Sequence, residues 1–460
     1  MTALEQLGRF VAHSAPPSGG LREKLELHIV DAIAALLAST ATLEGRRLLR
    51  FRTDMGQFAH ADRQLALDLS TRCALARLSE IDDIHLPSMI TPGGVVIPAA
   101  LTLATATPPI AIHEITPQDM MAAMLAGYEV MTRFGRAVDG PRILYRGIWP
   151  TYFAAPFGIA AVTARLLKLD ERTTANALAL ALTLSAPGVG HHNTESLSRW
   201  FAIGSAARDG LTATLAAKAG FTSDCKLMEG NFLPGIFAVT PDLSALTHGL
   251  GESTVLPQVS FKPWCAARQT MTATQALREI IVEGVEPQKM ERIEVFVLPP
   301  HLAMINHGVK SGDRASHLTS VQYRMAVAAL AGHFKEDVGQ SPVGLLPPLR
   351  DFMAKIEVAA DESLLADYPR HWPTRVIVHA AGARYERLVR DVPGDPARPF
   401  DRAQVREKFA AFVEPVLGTE KTEQVLARIS DALARGDFAI IVEEIEAVCR
   451  DALVPARRAD

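Results

Sequence analysis

The sequence has little cysteine, no visible secretory signal and no uncharged apolar run long enough to cross a membrane. Its four cysteines lie far apart and form no CxxC pair: Cys73, Cys225, Cys265 and Cys449. That spacing argues against a disulfide framework, an iron–sulfur centre and a zinc site, and it is typical of a reducing compartment. We therefore expect a cytoplasmic protein that is not embedded in a membrane.

The charge and the missing motifs argue against several further classes of function. A formal net charge of −4 gives no overall attraction to nucleic acid or to an anionic membrane surface. The sequence contains no Walker loop, no GxGxxG after a predicted strand, no GxSxG and no HExxH. Gly93 and Gly94 follow a proline, and we interpret them as a turn that binds no phosphate. No metal site is expected, because the adjacent His191 and His192 would not face one ion from a helix.

Apolar residues recur with helical spacing from the N-terminus to about residue 265. The pattern predicts helices over residues 21–37, 154–169, 173–184 and 196–219. Another helix is predicted to begin at Thr116-Pro117, because threonine caps helices and proline suits the first helical position. So much consecutive helix predicts a mostly α fold, with a large all-α domain at residues 1–266 to which residues 400–460 return.

The periodicity changes after Lys262. Alternating apolar residues predict strands at 292–298 and 355–358, and a hairpin at 375–392 that turns through Ala381-Gly382. Helices are predicted between these strands, at 319–330 and 347–354. This alternation predicts a smaller α+β domain at residues 267–399. A further helix is predicted to follow the capping residue Asp401.

Polar clusters that interrupt apolar surroundings supply most of the candidate site residues. The candidates for catalysis are His85, Asp82, Asp83, His191, His192, Lys262 and Tyr323. The candidates for substrate binding are Glu80, Thr91, Tyr145, Trp149, Tyr152, Arg199 and Arg268. Imidazole, carboxylate and phenol groups can move protons, and the cations can stabilise negative charge that develops on a substrate.

At these clusters the sequence resembles the MmgE/PrpD family, which includes dehydratases, decarboxylases and epimerases of small carboxylic acids. The resemblance covers most of the chain and rests on segments that follow one another in the family's order: IDDIHLPSMITPGGVVIPAALTLA, ITPQDMMAAMLAGYEVMTRFGRAV, YRGIWPT, RWFAIGSAARDGLTATLAAKAGF, FKPW and SVQYRMAVAALAG. It implies a large helical domain, a smaller α+β lid, a homodimer and a small carboxylic acid as substrate. It implies neither a metal ion nor an organic cofactor.

The resemblance extends to individual candidate residues. Asp82 and Asp83 stand at the family's acidic pair, and Lys262 matches the lysine before its aromatic–proline motif. Tyr323 matches a tyrosine in a helix of the lid. Arg199 stands where many members have a lysine, so the positive charge is kept and a bidentate contact with a carboxylate is favoured.

Three positions depart from the family's pattern. Thr91, Trp149 and Met271 stand where many members have histidine. The usual general bases are therefore missing, and the family's individual reactions do not transfer to this chain. Trp149 also indicates a more apolar pocket than a tricarboxylate requires, which predicts a substrate with a hydrophobic or aromatic portion.

Three other histidines are candidates to replace the missing bases. His85 belongs to the acidic cluster, and we expect a neighbouring carboxylate to raise its pKa. His191 and His192 lie between Gly190 and Asn193, which is typical of a loop able to face a cavity. The alternatives are a packing or helix-end role for His85 and a solvated loop for the other two.

The preferred function is that of a lyase, in particular a hydro-lyase. A base would take a proton from the carbon next to a carboxylate, while Arg199 and Lys262 stabilise the resulting charge. Tyr323 or a protonated histidine would supply an acid. An epimerase or isomerase, a decarboxylase and a catalytically silent ligand-binding member remain alternatives. Each candidate also has a structural interpretation: Asp82 and Asp83 as helix caps, Lys262 as a solvated lysine, Arg199 in an ion pair and Tyr323 in the core.

Overall fold

The computed structural model describes residues 1–57, 61–107, 109–186, 188, 197–310, 313–330, 338 and 346–453. The described chain forms two compact units. The first comprises the described parts of Met1–Gly190, Ser196–Val259 and Asp401–Asp460, and the second those of Ser260–Phe400. Helices dominate and one small sheet is present, which confirms the predicted fold class of a mostly α protein with a smaller α+β region.

The first unit contains helices and no strand among its described residues. With helices numbered in chain order, they are α1 (Ala3–His13), α2 (Gly19–Ser39), α3 (Leu43–Gly56), α4 (Ala61–Leu78), α5 (Gly93–Ala104), α6 (Pro117–Ala137), α7 (Gly140–Ile143), α8 (Pro150–Leu166), α9 (Glu171–Leu184), α10 (Ser198–Lys218), α11 (Phe232–Phe237), α12 (Leu243–Thr247), α18 (Arg402–Leu417), α19 (Thr419–Arg435) and α20 (Phe438–Asp451). No single described helix has both the length and the apolar composition of a membrane span; α2 and α3 pass that test only as a pair, across an 87° bend.

Capping residues begin two of these helices where the sequence predicts. At the start of α6, Thr116 and Asp119 form a capping box in which each side chain accepts from the other's backbone N–H. Asp401 and Gln404 form the same arrangement at the start of α18. Both predicted helix starts are confirmed, and α2, α8, α9 and α10 overlap the other four predicted helices.

Close packing of α6 against α8 forms part of the core of the first unit. A Cβ atom at Gly127 would lie 2.7 Å from Val162 Cγ2, so the glycine is what allows this approach. Phe134 of α6 packs against Phe153 and Phe157 of α8, with ring centroids 4.9 and 4.6 Å apart. Packing of this density holds the helix ends that carry the candidate site in fixed positions.

Gly93 and Gly94 are the first residues of α5, so the turn predicted for them is wrong. Their preceding residue Pro92 already has helical dihedral angles. The Gly93 N–H donates a hydrogen bond of 2.7 Å to Asp83 Oδ1, and a Cβ atom at Gly93 would lie 2.6 Å from the Tyr128 hydroxyl oxygen. Glycine is therefore needed for the close approach of Asp83 to the helix start, a contact that local sequence does not reveal.

The second unit is built around a four-stranded sheet. Its elements are α13 (Met271–Val282), β1 (Met290–Val297), α14 (Pro299–Ile305), α15 (Arg314–Thr319), α16 (Val321–Leu330), α17 (Pro347–Met353), β2 (Ile356–Ala360), β3 (Thr374–Ala380) and β4 (Ala383–Val389). The strand order is β2-β1-β3-β4, with β2 parallel to β1 and the other two pairs antiparallel. Helix α13 packs against β3 and β4.

The hairpin of β3 and β4 confirms its sequence prediction. Ala380 pairs with Ala383, which leaves Ala381 and Gly382 as a two-residue turn. Both have positive φ angles, 51° and 76°, as a type I′ turn requires. The strands predicted at 292–298 and 355–358 correspond to β1 and β2.

Candidate active site

The acidic segment between α4 and α5 is organised by Arg77. This arginine lies in the last turn of α4, 3.2 Å from Glu80 Oε1, and it donates a hydrogen bond of 3.1 Å to Asp82 Oδ1. Glu80 has a φ of 61°, a left-handed conformation that side chains other than glycine seldom adopt. Two carboxylates on one buried guanidinium stabilise this tight turn.

Asp83 points away from Arg77 into a separate buried network. Its Oδ2 accepts a hydrogen bond of 2.6 Å from the Tyr128 hydroxyl and lies 2.8 Å from His28 Nδ1, while its Oδ1 accepts from Gly93 N–H. The negative charge also stands at the N-terminus of α5, where the helix dipole favours an anion. Because both carboxylate oxygens are occupied within the first unit, this geometry favours a positioning role for Asp83 over proton transfer.

The hydrogen bond between Tyr128 and Asp83 makes a stability prediction. Replacement of Tyr128 with phenylalanine should lower the free energy of unfolding by about 1–3 kcal/mol, because a buried carboxylate loses a donor. Urea unfolding monitored by circular dichroism measures this change. The matched control is Tyr152→Phe, which removes an equally buried hydroxyl that has no hydrogen-bond partner among the described residues. Equal stability losses in the two variants would show that the Asp83 contact contributes nothing.

A lysine from the C-terminal part of the first unit completes this region. Lys408 of α18 forms a buried ion pair with Asp31 of α2, and its Nζ donates a hydrogen bond of 2.7 Å to the Ile81 carbonyl oxygen. Burial raises the pKa of Asp31, although the ammonium group of Lys408 opposes the shift. Lys408 thus holds the backbone of the acidic segment at Ile81, and Arg77 holds the side chains of Glu80 and Asp82.

Arg199 lies in an aromatic cluster of the first unit. Its guanidinium carbon is 4.3 Å from the ring centroid of Trp200 and 5.5 Å from that of Trp149, distances typical of cation–π contacts. Trp149, the residue before α8, in turn packs edge-on against Tyr152 at 5.6 Å. Arg77 also contacts Trp200, at 5.9 Å. The structure therefore brings Arg199, Trp149 and Tyr152 together beside the arginine that holds Glu80 and Asp82.

Thr91 and Tyr145 are two further binding candidates of the first unit. Thr91 is buried, and its N–H donates a hydrogen bond of 3.1 Å to Thr151 Oγ1 at the start of α8. Tyr145 is half-buried in the short helix Leu144–Arg146. The Thr91–Thr151 contact links the segment before α5 to the first turn of α8.

In the second unit Lys262 is buried, with a relative exposure of 2%, and is not a solvated surface lysine. Tyr323 is half-buried on α16, where its ring packs edge-on against His317 with centroids 4.7 Å apart. Arg268 forms a fully buried ion pair with Asp395, whose carboxylate also accepts from a backbone N–H. This pairing favours a structural role for Arg268 over the predicted contact with substrate. His191 and His192 lie outside the described residues.

Two family models match successive parts of the sequence. The model of the MmgE/PrpD N-terminal domain matches residues 5–242, and that of the MmgE/PrpD C-terminal domain matches residues 264–432. Together they cover most of the chain. The chain belongs to the MmgE/PrpD family.

Curated relatives of this MmgE/PrpD protein are cis-aconitate decarboxylases. The enzyme of Mus musculus is 22% identical over 355 residues, which cover 75% of this chain and 71% of the relative. The enzyme of Homo sapiens is 23% identical over 354 residues, with 75% and 72% covered. That of Aspergillus terreus is 27% identical over 164 residues, with 35% and 33% covered. Identities this low support the MmgE/PrpD assignment without transferring one reaction.

The three positions without the family's histidine have different surroundings in this MmgE/PrpD member. Thr91 bonds to Thr151, and Trp149 contacts Arg199. Met271 is fully buried in a core cluster with Trp264, Ala266 and Val392 of the second unit. Met271 thus fills a packing position in which a polar side chain would be costly.

The pKa of His85 is lowered to about 4, so the expectation of a raised value is wrong. Burial is the largest cause, and the side chain of Gln258 and the charge of Asp83 only partly oppose it. His85 Nδ1 lies 2.8 Å from Ser88 Oγ. An imidazole with this pKa is a weak base at neutral pH, so the environment favours the packing interpretation of His85 over a general base.

This shift predicts how stability depends on pH. Between about pH 6.5 and pH 4 the unfolded chain binds a proton on His85 that the native protein does not bind, so the free energy of unfolding falls as the pH falls. From pH 7 to pH 5 the wild type should lose about 2 kcal/mol more than His85→Gln, in which this titration is absent. Urea unfolding at the two pH values measures the difference. Parallel pH profiles would mean that His85 protonates in the native state.

Several residues of the site were not predicted from the sequence. Arg77 had a local signal, because the acidic residues Glu80 and Asp82 follow it within five positions. No local signal in the sequence indicated His28, Tyr128 or Lys408, because each contacts the acidic segment from a distant helix. Trp200, next to Arg199, also has no local signal that distinguishes it from a core residue.

Proposed function

We propose that this MmgE/PrpD protein is a lyase of small carboxylic acids whose first step is proton transfer at the carbon next to a carboxylate. The observation that carries the proposal is the buried cluster of Arg199, Trp149 and Tyr152 beside the carboxylates of Glu80 and Asp82. A buried guanidinium favours a substrate carboxylate, and it stabilises the enolate-like charge that forms when the proton leaves.

The proposed roles divide between charge stabilisation and proton transfer. Arg199 binds the substrate carboxylate, and Lys262 is proposed as a second cation from its place in the family's motif. Glu80 or Asp82 accepts the proton, and Tyr323 stays proposed as an acid. The histidines at positions 191 and 192 remain predictions from the sequence alone. Asp83 holds the acidic segment in position.

The preferred reaction is the loss of water from a hydroxy acid. The test incubates the protein in D₂O with a panel of hydroxy and unsaturated acids and follows them by ¹H NMR. A hydro-lyase forms or consumes a double bond, and substrate recovered before equilibrium carries deuterium next to the carboxylate if proton transfer is reversible. Deuterium exchange without any product would indicate an epimerase or isomerase instead. No exchange and no product across the panel, together with measurable binding, would overturn the lyase proposal in favour of a silent member.

Decarboxylation is the second candidate reaction. It is favoured by the curated relatives, which are cis-aconitate decarboxylases. The same NMR series distinguishes it, because loss of CO₂ replaces a carboxylate with a proton from solvent and leaves one deuterium at that carbon.

Assembly and location are further parts of the proposal. We propose a homodimer from the family resemblance and a cytoplasmic location from the separated cysteines. Light scattering of the purified protein tests the first, and a value for the monomer mass at micromolar concentration would reject it.

A further inference from the structure

Tyr152 combines deep burial with an unused polar group. Its side chain is 1% exposed, and its hydroxyl oxygen has no hydrogen-bond partner among the described residues. A buried hydroxyl without a partner destabilises a protein, and native structures contain few of them. Tyr128, the other fully buried tyrosine of the first unit, has its hydroxyl bonded to Asp83. The contrast indicates that the hydroxyl of Tyr152 is retained for a ligand.

The charges around Tyr152 limit how negative that ligand can be. Arg77 and Arg199 act on it with positive charge, and Glu80 and Asp82 act on it with negative charge. The two positive and two negative charges of these four residues cancel. A tricarboxylate would bring three negative charges next to two existing carboxylates, whereas a monocarboxylate brings only one.

Two tryptophans lie near Tyr152 and Arg199. The indole ring of Trp149 packs edge-on against the ring of Tyr152. Trp200 forms a cation–π contact with Arg199. Aromatic faces favour planar apolar groups, and Trp149 occupies a position where many family members have histidine. Burial raises the pKa of Tyr152, and the two arginines only partly oppose this, so the hydroxyl remains a hydrogen-bond donor at neutral pH.

We propose that Tyr152, Trp149 and Arg199 form a specificity-determining subsite for a monocarboxylate with a planar apolar portion, and that the Tyr152 hydroxyl donates a hydrogen bond to its carboxylate. This inference rests on the proposed function and names its substrate class. A 3-hydroxy monocarboxylic acid fits this class: when its C–H and C–O bonds break, water leaves and a planar, conjugated double bond forms next to the carboxylate.

The test measures binding by isothermal titration calorimetry with three probes at one ionic strength. They are cinnamate, which is planar and aromatic, hexanoate, which is saturated, and tricarballylate, which carries three carboxylates. The expected order of affinity is cinnamate, hexanoate, tricarballylate. Tyr152→Phe should raise the Kd of cinnamate by about tenfold, as expected for loss of one hydrogen bond to a charged group, and leave that of tricarballylate unchanged.

Two further variants sharpen the test. Tyr385→Phe removes the hydroxyl of a half-buried tyrosine on β4 and should leave all three Kd values unchanged. Trp149→His should weaken cinnamate and strengthen tricarballylate, because it exchanges an apolar face for a group that can carry positive charge. The urea midpoint of Tyr152→Phe should equal or exceed that of the wild type, which verifies that the variant is folded.

The inference is overturned if tricarballylate binds more tightly than cinnamate, if Tyr152→Phe leaves the Kd of cinnamate unchanged, or if none of the probes binds at millimolar concentration. Failure of the proposed function looks different. Binding of cinnamate that depends on Tyr152, without turnover of any acid, would reject the lyase and keep the subsite. Turnover of a tricarboxylate at a rate that Tyr152→Phe does not change would reject the subsite and keep the lyase.

Discussion

Replacement of Arg199 with methionine should lower the kcat/KM of the proposed lyase reaction by about 100- to 1000-fold. Arg199 is the buried cation between Trp149 and Trp200, and methionine keeps an unbranched apolar side chain there while it removes the charge. Loss of one preorganised donor to a developing negative charge typically has an effect of this size. Steady-state kinetics of the purified variant measure it.

The control for this prediction lies on the same helix. Arg208 of α10 is about half exposed and contacts Asp209 next to it at 3.8 Å, so Arg208→Met should leave kcat/KM unchanged. Arg199→Lys keeps the positive charge but loses the planar guanidinium group. Its kcat/KM should therefore lie between those of Arg199→Met and Arg208→Met. If Arg199→Met retains activity and only unfolds more easily, the arginine is a structural cation–π partner and the proposed role is wrong.

Replacement of Asp395 with alanine should destabilise the second unit by about 3–5 kcal/mol. The side chains of Asp395 and Arg268 are both fully buried, and Arg268 also lies over the ring of Trp372 at 5.8 Å. Removal of the carboxylate leaves a positive charge in the interior without its counterion, which is among the most costly single changes in a protein. The unfolding transition in urea, monitored by tryptophan fluorescence, measures the loss.

An exposed ion pair of the same unit provides the comparison. Glu286 and Lys289 are both more than half exposed, so Glu286→Ala should leave the transition unchanged within error. The outcome also decides what Arg268 does. If Asp395→Ala keeps its stability and instead loses affinity for carboxylic acids, the ion pair contacts substrate and the structural interpretation of Arg268 is wrong.

Much of the fold could be predicted because its signals are local. The capping residues Thr116 and Asp401, the alternation in β1 and the turn at Ala381-Gly382 all act within a few residues of the element that they define. The mostly α fold with a smaller α+β region follows from adding such signals along the chain. Hydrophobic spacing, capping residues and turn residues together carry this information.

The candidate site could be predicted only as a set of residues, and its electrostatics could not be predicted at all. The expectation for His85 considered the neighbouring carboxylates and left out burial, which has the larger effect on its pKa. The turn expected at Gly93 left out Asp83, which approaches the helix start through a hydrogen bond ten residues back. In both cases the deciding term comes from tertiary packing, which has no signature in the local sequence.

The contact between Lys408 and Ile81 sets an order for events during synthesis. The two residues are 327 positions apart in the chain, and a ribosome adds about 5–20 residues per second. Lys408 is therefore added to the chain roughly 15–65 seconds after Ile81, the residue whose carbonyl it contacts. Until then Asp31 lacks its ion-pair partner, so the acidic segment cannot complete its native contacts before residue 408 has been made.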